Sequence, residues 1–440
     1  MTATPENSKI GDIQVLRGLA ILMVLICHLS IGSMALELWP VRVTIPLYLG
    51  VEIFFVVSGY VITRSLMKDG FHGGRFFLKR VFRLMPALLL FIGVSLLLNR
   101  YVQNSDLIDA DKSFYSVPNR AFRQQARGVA FGYLTIVPRP LSHANGAMWS
   151  LSVEDQFYAA VTIVCLLAGG LLRFRPKWCG AVLAATAAAF YVCLVGWRLA
   201  TWGDLEKMPS VVRYFVHWRF DFLGLGVVTA FIDFRWSERI RAAFRDSGTY
   251  CSAFLLIVPL MLAAICESPL QDPAPVLQAV GYTMFGLCFA GLVLLAANGL
   301  AFPASRGWLY RWFKFVGDRS YTYYLFHYPM FIVAFLLFHH HFQGAFRGPW
   351  HFAAAQCVTV VALLVPFSEA VYRCIELPIA ELGRSIAGRL KSTDFGVASP
   401  EREPLLDREL GGESIVAGRC NPVPHGKDVA QQRRLGRRVA

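Results

Sequence analysis

Residues 13–35 read IQVLRGLAILMVLICHLSIGSMA, and this stretch decides the fold because it is long and apolar enough to cross a bilayer. A transmembrane helix needs about 20 predominantly apolar residues. The run is too long for the core of a secretory signal, and no small-residue cleavage site follows it, so we expect it to stay as the first span. It carries two ionisable residues of interest, Arg17 and His28.

The composition of the whole chain also points to a membrane. Of 440 residues, 55% are apolar and 16% are charged, whereas soluble chains carry about 25% charged residues. This balance excludes soluble multidomain enzymes, secreted disulfide scaffolds, nucleic-acid-binding proteins and disordered proteins. The ten cysteines show no spacing typical of disulfides or metal sites. Because membrane proteins carry an excess of basic residues in their cytoplasmic loops, we attribute the net charge of +14 to such loops. We expect no nucleic-acid partner.

The apolar runs predict a bundle of about ten transmembrane helices. Basic residues cluster after the second, fourth, sixth and eighth runs, which places both termini in the cytoplasm. The predicted fold class is therefore an all-α integral membrane protein. The predicted spans are 13–35, 46–67, 85–100, 149–172, 179–200, 211–232, 249–266, 277–299, 315–338 and 352–377.

The chain divides by composition into three parts. Residues 1–12 form a cytoplasmic N-terminus, residues 13–385 form the transmembrane domain, and residues 386–440 form a polar cytoplasmic tail that we expect to be disordered. Glycines within the spans predict close helix approach, because small residues let helix backbones come together in a membrane. These glycines are Gly50, Gly59, Gly224 and Gly226.

Six ionisable residues fall at the middle and outer levels of five predicted spans. Because charge is costly inside a bilayer, such residues are candidates for function. An imidazole beside carboxylates is a workable general base, and apolar surroundings exclude the water that would hydrolyse an acyl donor. Interhelical hydrogen bonding, or the proton relay of a secondary transporter or exporter, would use the same residue types. The six are His28, Glu52, Glu154, Arg219, Asp221 and His327.

A basic stretch on the cytoplasmic side precedes the third span. Arg75, Lys79 and Arg83 recur every four residues and therefore share one face of a helix. One interpretation is a helix that anchors at an anionic membrane surface. The other is a cradle for a phosphate-rich cytosolic molecule, for which guanidinium groups are well suited.

At this point the sequence resembles the membrane-bound acyltransferase 3 family of O-antigen, exopolysaccharide, Nod-factor and macrolide acyltransferases. The resemblance is ordered and covers about residues 11 to 385. Asp155 stands where a second Glu is common, Glu52 where Asp is common, and Asp318-Arg319 where a more apolar pair is common. The similar motifs are Arg17 to His28, Gly50 to Tyr60, Phe76 to Pro86, Met148 to Tyr158, Arg219 to Gly226, Gly317 to Pro329, and Glu376-x-Pro378 with Arg384.

The resemblance implies O-acyl transfer from cytosolic acyl-CoA, by family frequency acetyl-CoA, to a hydroxyl of a cell-surface or secreted carbohydrate or glycolipid. It implies a multi-pass protein of the bacterial inner membrane, in contact with the lipid bilayer, in which acyl-CoA is a co-substrate and no cofactor or metal is bound. Whether copies of the chain form a homo-oligomer stays open, and a transporter of small metabolites is the alternative.

On this hypothesis each candidate residue has a role. His28 deprotonates the acceptor hydroxyl or carries the acyl group, and Glu154 orients it. Arg17, Arg80 and Arg83 hold the CoA phosphates. The cavity for the acyl group or the acceptor is lined by Glu52, Ser58, Ser150, Arg219, Asp221, Tyr324 and His327.

Overall fold

The computed structural model describes residues 5–29, 35–38, 41–44, 46–104, 148–171, 176–201, 220–266, 275–302, 307–341 and 349–390. They all belong to one compact unit, which comprises Met1–Arg402. Residues 391–440 of the predicted tail and residues 105–147 lie outside the described residues, as does Arg219.

Long apolar helices dominate the described part of the chain. They are α1 (Pro5–Leu29), α2 (Gly50–Lys68), α3 (Gly73–Asn104), α4 (Met148–Cys165), α5 (Pro176–Thr201), α6 (Phe220–Ala243), α7 (Gly248–Cys266), α8 (Pro275–Ala297), α9 (Trp308–Asp318), α10 (Ser320–His341), α11 (Pro349–Val371) and α12 (Leu377–Arg389). A 3-10 turn, Leu47–Leu49, precedes α2, and π turns follow α4 at Leu166–Leu171 and α11 at Tyr372–Glu376.

The helical membrane fold is confirmed at a coarser level than ten spans. By length and apolarity, six of the described helical stretches could cross a bilayer. The pair Phe220–Ala243 and Gly248–Ala263, bent by 111°, brings the number to seven if it counts as one span. The count of ten and the cytoplasmic termini stay predictions.

Two helix boundaries and the secondary structure of one segment differ from those expected. The basic stretch and the third predicted span form one helix, α3, which continues through Pro86. The last predicted span continues through a π turn into α12, which ends at Arg389, beyond the predicted domain limit of residue 385. An all-α chain was expected, but Ala35–Leu38 and Val41–Thr44 form an antiparallel hairpin, β1 and β2, in which Ala35 pairs with Thr44.

A close crossing joins α2 and α6 through two glycines. A Cβ at Gly59 would collide with the carbonyl oxygen of Leu223, and a Cβ at Gly226 would collide with that of Val56. These backbones touch directly, which confirms the prediction of close approach there. Since Ser58 immediately precedes Gly59, this crossing also sets the position of the Ser58 side chain.

A second glycine pair joins α1 to α9. A Cβ at Gly18 would collide with the carbonyl oxygen of Phe313, and one at Gly317 would collide with that of Gln14. Arg17 immediately precedes Gly18, so this contact positions the arginine of the first span. The glycines therefore control where two of the predicted site residues lie.

We predict that Gly226→Ala destabilises the protein, because the added methyl group would have to force α2 and α6 apart. Overpacking of this kind typically costs about 1–3 kcal/mol. The thermal unfolding midpoint of the detergent-solubilised protein should fall. Gly93→Ala on α3 is the matched control, because a Cβ there meets nothing within 4 Å. Equal stability of the two variants would contradict direct backbone contact at Gly226.

Candidate functional site

A cavity lies between α1, α2, α3, α4 and α10. The space between its lining residues, with the open solvent at its mouth included, is about 780 Å³. On α2 its lining runs from Val51 to Val61, which is about 15 Å along a helix axis. Seven predicted site residues line it, namely Arg17, Ser58, Arg80, Arg83, Ser150, Glu154 and Tyr324.

The three predicted arginines face this cavity from two helices. The Arg17 Nη1 group donates to Gln14 Oε1 at 3.1 Å. The Arg80 guanidinium lies over the rings of Phe76 and Tyr158, at 5.5 and 5.4 Å from their centroids. Arg83 is 3.9 Å from the buried carboxylate of Glu376. Their shared cavity is therefore a strongly cationic site.

The basic face predicted on α3 does not act as one surface. Arg75 Nε donates to the carbonyl oxygen of Leu390 at 3.1 Å. Lys79 forms a 2.7 Å ion pair with Asp69. Of the three residues spaced by four, only Arg83 lines the cavity. Helical spacing indicated a common face, but Arg75 and Lys79, at its N-terminal end, bind neighbouring segments instead.

Glu154 is the acidic side chain in the cavity lining. Its Oε1 accepts a hydrogen bond from Ser58 Oγ at 2.5 Å and a second one from the hydroxyl of Tyr158. Ser150 and Tyr324 share another hydrogen bond between their hydroxyl groups. A carboxylate with two hydroxyl donors is held in one orientation and can accept a proton.

His28 lies against His327 and not against Glu154. The rings are stacked with their centroids 5.1 Å apart, and His327 Nε2 is 3.1 Å from His28 Nδ1. His327 Nδ1 is 2.6 Å from the carbonyl oxygen of Tyr324. The described contacts therefore give His28 a histidine partner, in place of the carboxylate expected from the sequence.

This geometry determines the tautomers of the neutral pair. A carbonyl oxygen only accepts, so His327 Nδ1 carries a proton and His327 Nε2 presents a lone pair. That lone pair accepts the Nδ1 proton of His28, which leaves the lone pair of His28 on Nε2. The ring of Tyr328 packs beside His28 with centroids 5.0 Å apart. His28 is thus oriented as a base or nucleophile through Nε2.

Tyr324 stands between the cavity and the histidine pair. Its ring centroid is 6.5 Å from that of Phe54, which also lines the cavity. It is 5.7 Å from the ring of His327. The structure thus brings the predicted residues together in two adjoining groups, one with the arginines and Glu154 and one with the histidines.

Two further predicted residues lie away from the cavity lining. Glu52 and Asp221 are buried, each with 1% relative exposure, but neither is among the residues that line the cavity. Arg219 is outside the described residues. Because Glu52 and Asp221 are charged residues within predicted spans, the sequence correctly indicated that they are buried. It did not indicate that they are outside the cavity lining.

Sequence reasoning missed several polar residues of the site. Ser320, Tyr321 and Tyr158 line the cavity, and the Tyr321 hydroxyl donates to the carbonyl oxygen of Leu84 at 2.9 Å. Tyr158 follows Glu154 by four residues, so helical periodicity could have identified it. The contact between Glu376 and Arg83 joins distant segments and leaves no local sequence signal.

Among the residues that the structure describes, no group of three or more His, Cys, Asp or Glu side chains could hold a metal ion.

Comparison with known proteins decides the family. The sequence profile described as an acyltransferase domain, Acyl_transf_3, matches residues 10–368. The chain belongs to the acyltransferase 3 family. With its apolar helices, it is a multi-pass membrane acyltransferase.

Related members of this family include enzymes named for transacylation and O-acetylation. A protein named as the membrane-bound transacylase BcsY of Komagataeibacter xylinus is 30% identical over 367 residues, which are 82% of this chain and 81% of the relative. A protein named as the peptidoglycan O-acetyltransferase YrhL of Bacillus subtilis is 26% identical over 414 residues, 88% of this chain and 57% of the relative.

A further relative is the peptidoglycan O-acetyltransferase OatA of Listeria monocytogenes, which is 26% identical over 357 residues, 75% of this chain and 50% of the relative. The chain thus spans only about half the length of the peptidoglycan O-acetyltransferases it matches, 50% and 57%. No solved structure matches the chain.

Proposed function

We propose that the protein is an O-acetyltransferase that moves an acetyl group from cytosolic acetyl-CoA to a hydroxyl of a surface or secreted carbohydrate or glycolipid. The observation that carries the proposal is the cavity in which Arg17, Arg80 and Arg83 adjoin Glu154 and Ser58. This arrangement places anion-binding groups beside proton-accepting and hydroxyl groups. The O-acetyltransferase names of two relatives support the same reaction.

The arginines are suited to an acyl donor that carries phosphates. Guanidinium groups bind phosphate oxygens through paired, charge-assisted hydrogen bonds. Arg17 and His28 are eleven positions apart on α1, which is about 16 Å of helix. An extended pantetheine arm has a comparable reach, so phosphates held at the arginines would leave the thioester deep in the protein.

His28 is the proposed general base for the acceptor hydroxyl. Its Nε2 lone pair is available because Nδ1 donates to His327, which is itself fixed by the carbonyl oxygen of Tyr324. General bases of this kind typically contribute rate factors of about 10²–10⁴. In this proposal His327 positions His28, and Glu154 acts on the donor side of Tyr324.

We place the enzyme in a bacterial inner membrane with both termini in the cytoplasm, so that the arginine end of the cavity meets cytosolic acyl-CoA. The distribution of basic residues in short loops supports this orientation. In this arrangement the histidine pair lies toward the outer face, where a surface carbohydrate would meet it.

The direct test combines two measurements on the same strain pair. Purified protein in proteoliposomes should consume acetyl-CoA when extracts of surface glycans are added. Mass spectrometry of surface glycans should show ester-linked acetyl groups that disappear when the gene is deleted. Unchanged glycans and secreted products, with acetyl-CoA left intact, would overturn the proposal, and transport of an unmodified metabolite would replace it with the transporter alternative.

One kinetic prediction concerns binding of the acyl donor. Arg80→Ala and Arg83→Ala should each raise the acetyl-CoA KM by about 10-fold or more, because a charge-assisted hydrogen bond contributes about 1.5–3 kcal/mol. Arg75→Ala is the control, since its guanidinium donates to Leu390 outside the cavity lining. Steady-state kinetics at fixed acceptor concentration measures the change. An equal KM in all three variants would argue against the arginine site.

Another kinetic prediction concerns the histidine pair, His28 and His327. His28→Ala should lower kcat by about 10²–10⁴. His327→Leu should also lower kcat, with the acetyl-CoA KM unchanged, because His28 loses the acceptor that orients it. His327→Gln should recover part of the rate, because its Oε1 can accept the Nδ1 proton of His28. Equal rates for the Leu and Gln variants would remove the positioning role from His327.

A further inference from the structure

The cavity that would receive the acyl donor contains its own nucleophile and base, separate from His28. No histidine is among the described residues that line it, whereas Ser58 and Glu154 are. Tyr324 belongs to this lining, and its ring centroid is 5.7 Å from that of His327. A thioester held by the arginines would therefore meet Ser58 before it meets His28.

Ser58 and Glu154 have the geometry of an activated nucleophile. Ser58 Oγ donates to Glu154 Oε1 at 2.5 Å. The Tyr158 hydroxyl donates to the same oxygen and thereby orients the carboxylate. A hydroxyl within hydrogen-bond reach of a base, with that base held by a third group, is the general signature of covalent catalysis.

The other serines of the lining differ in their described contacts. Ser150 shares a hydrogen bond with the hydroxyl of Tyr324. The hydroxyl of Ser320 is buried and has no hydrogen-bond partner among the described residues. The hydrogen bond to Glu154 therefore distinguishes Ser58 from Ser320, and the Ser58 side chain is only half buried.

We propose that Ser58 is a transient acyl carrier between acyl-CoA and the acceptor; this inference rests on the proposed function. Ser58 Oγ attacks the thioester carbonyl while its proton passes to Glu154. The carbon–sulfur bond breaks, CoA leaves as a thiolate that water protonates, and an ester forms on Ser58. The arginines keep the phosphates of CoA on their side of the cavity while the small acyl group moves on.

The second step releases the acyl group to the acceptor. The acceptor hydroxyl attacks the Ser58 ester while His28 Nε2 takes its proton and later returns it to water. The ester bond to Ser58 breaks, and the serine oxygen leaves with the proton that Glu154 holds. The two steps restore Ser58, Glu154 and His28, and the net reaction converts a thioester and an alcohol into an ester and a thiol.

The test is to trap the ester on Ser58. His28→Ala should accept the acyl group but fail to pass it on, so the purified variant incubated with isotopically labelled acetyl-CoA should retain label. Tryptic cleavage after Arg42 and Arg64 releases a peptide, residues 43–64, in which Ser58 is the one serine. Fragmentation mass spectrometry of this peptide should locate the acetyl group on Ser58.

Matched variants in the His28→Ala background distinguish the carrier from other residues. Ser58→Ala should lose the label, Ser58→Cys should keep it as a thioester, and Glu154→Gln should lower the rate of labelling by about 100-fold. Ser65→Ala on the same helix is the control, since Ser65 is not among the residues that line the cavity, and it should retain the label.

Two outcomes overturn the carrier role and leave the proposed function intact. One is full acetyl transfer by Ser58→Ala alone, and the other is active wild-type enzyme whose His28→Ala and Ser58→Cys variants never label in peptide 43–64. Failure of the wild-type protein to consume acetyl-CoA in the presence of acceptor would instead count against the proposed function itself.

Discussion

The cost of charge in a bilayer governs the organisation of this protein. A guanidinium or carboxylate in a transmembrane segment must face protein or a cavity, because lipid offers it no partner. Arg17, Arg80, Arg83 and Glu154 meet this requirement by lining one space between five helices. The aromatic rings of Phe76 and Tyr158 cover the Arg80 guanidinium, which encloses the cationic group in aromatic surroundings. The same constraint that confines these charges also concentrates them where they can bind and react.

Close helix packing makes this arrangement precise. At the crossings of α2 with α6 and of α1 with α9, glycines allow backbone to meet backbone. Ser58 and Arg17 are each adjacent in sequence to one of these glycines, so small shifts of either crossing would move a site residue. Interior packing of this density leaves little freedom for such shifts. Helix packing and site geometry therefore depend on the same few positions.

In the proposed mechanism, the two adjoining groups of the site divide donor chemistry from acceptor chemistry. On one side are the arginines, Ser58 and Glu154, and on the other is the His28–His327 pair, whose proton arrangement follows from the carbonyl oxygen of Tyr324. A single helix, α10, supplies both Tyr324 and His327 and so couples the two sides. A separation of this kind suits a transfer whose donor and acceptor come from opposite faces of a membrane, as we propose for this member of the family.

Composition and hydropathy alone determined that the chain is a helical membrane protein, and ordered motifs indicated its family and seven residues of the cavity lining. These properties are local or additive along the chain, so they can be read without coordinates. The sequence did not indicate that His28 pairs with His327. It also did not indicate that Arg75 and Lys79 bind neighbouring segments instead of lining the cavity, or that Glu52 and Asp221 are outside the cavity lining. Those outcomes depend on helix rotation and on contacts between segments as distant as Arg83 and Glu376. Only the tertiary structure decided them, because spacing along a helix specifies a shared face but not the neighbour that the face meets.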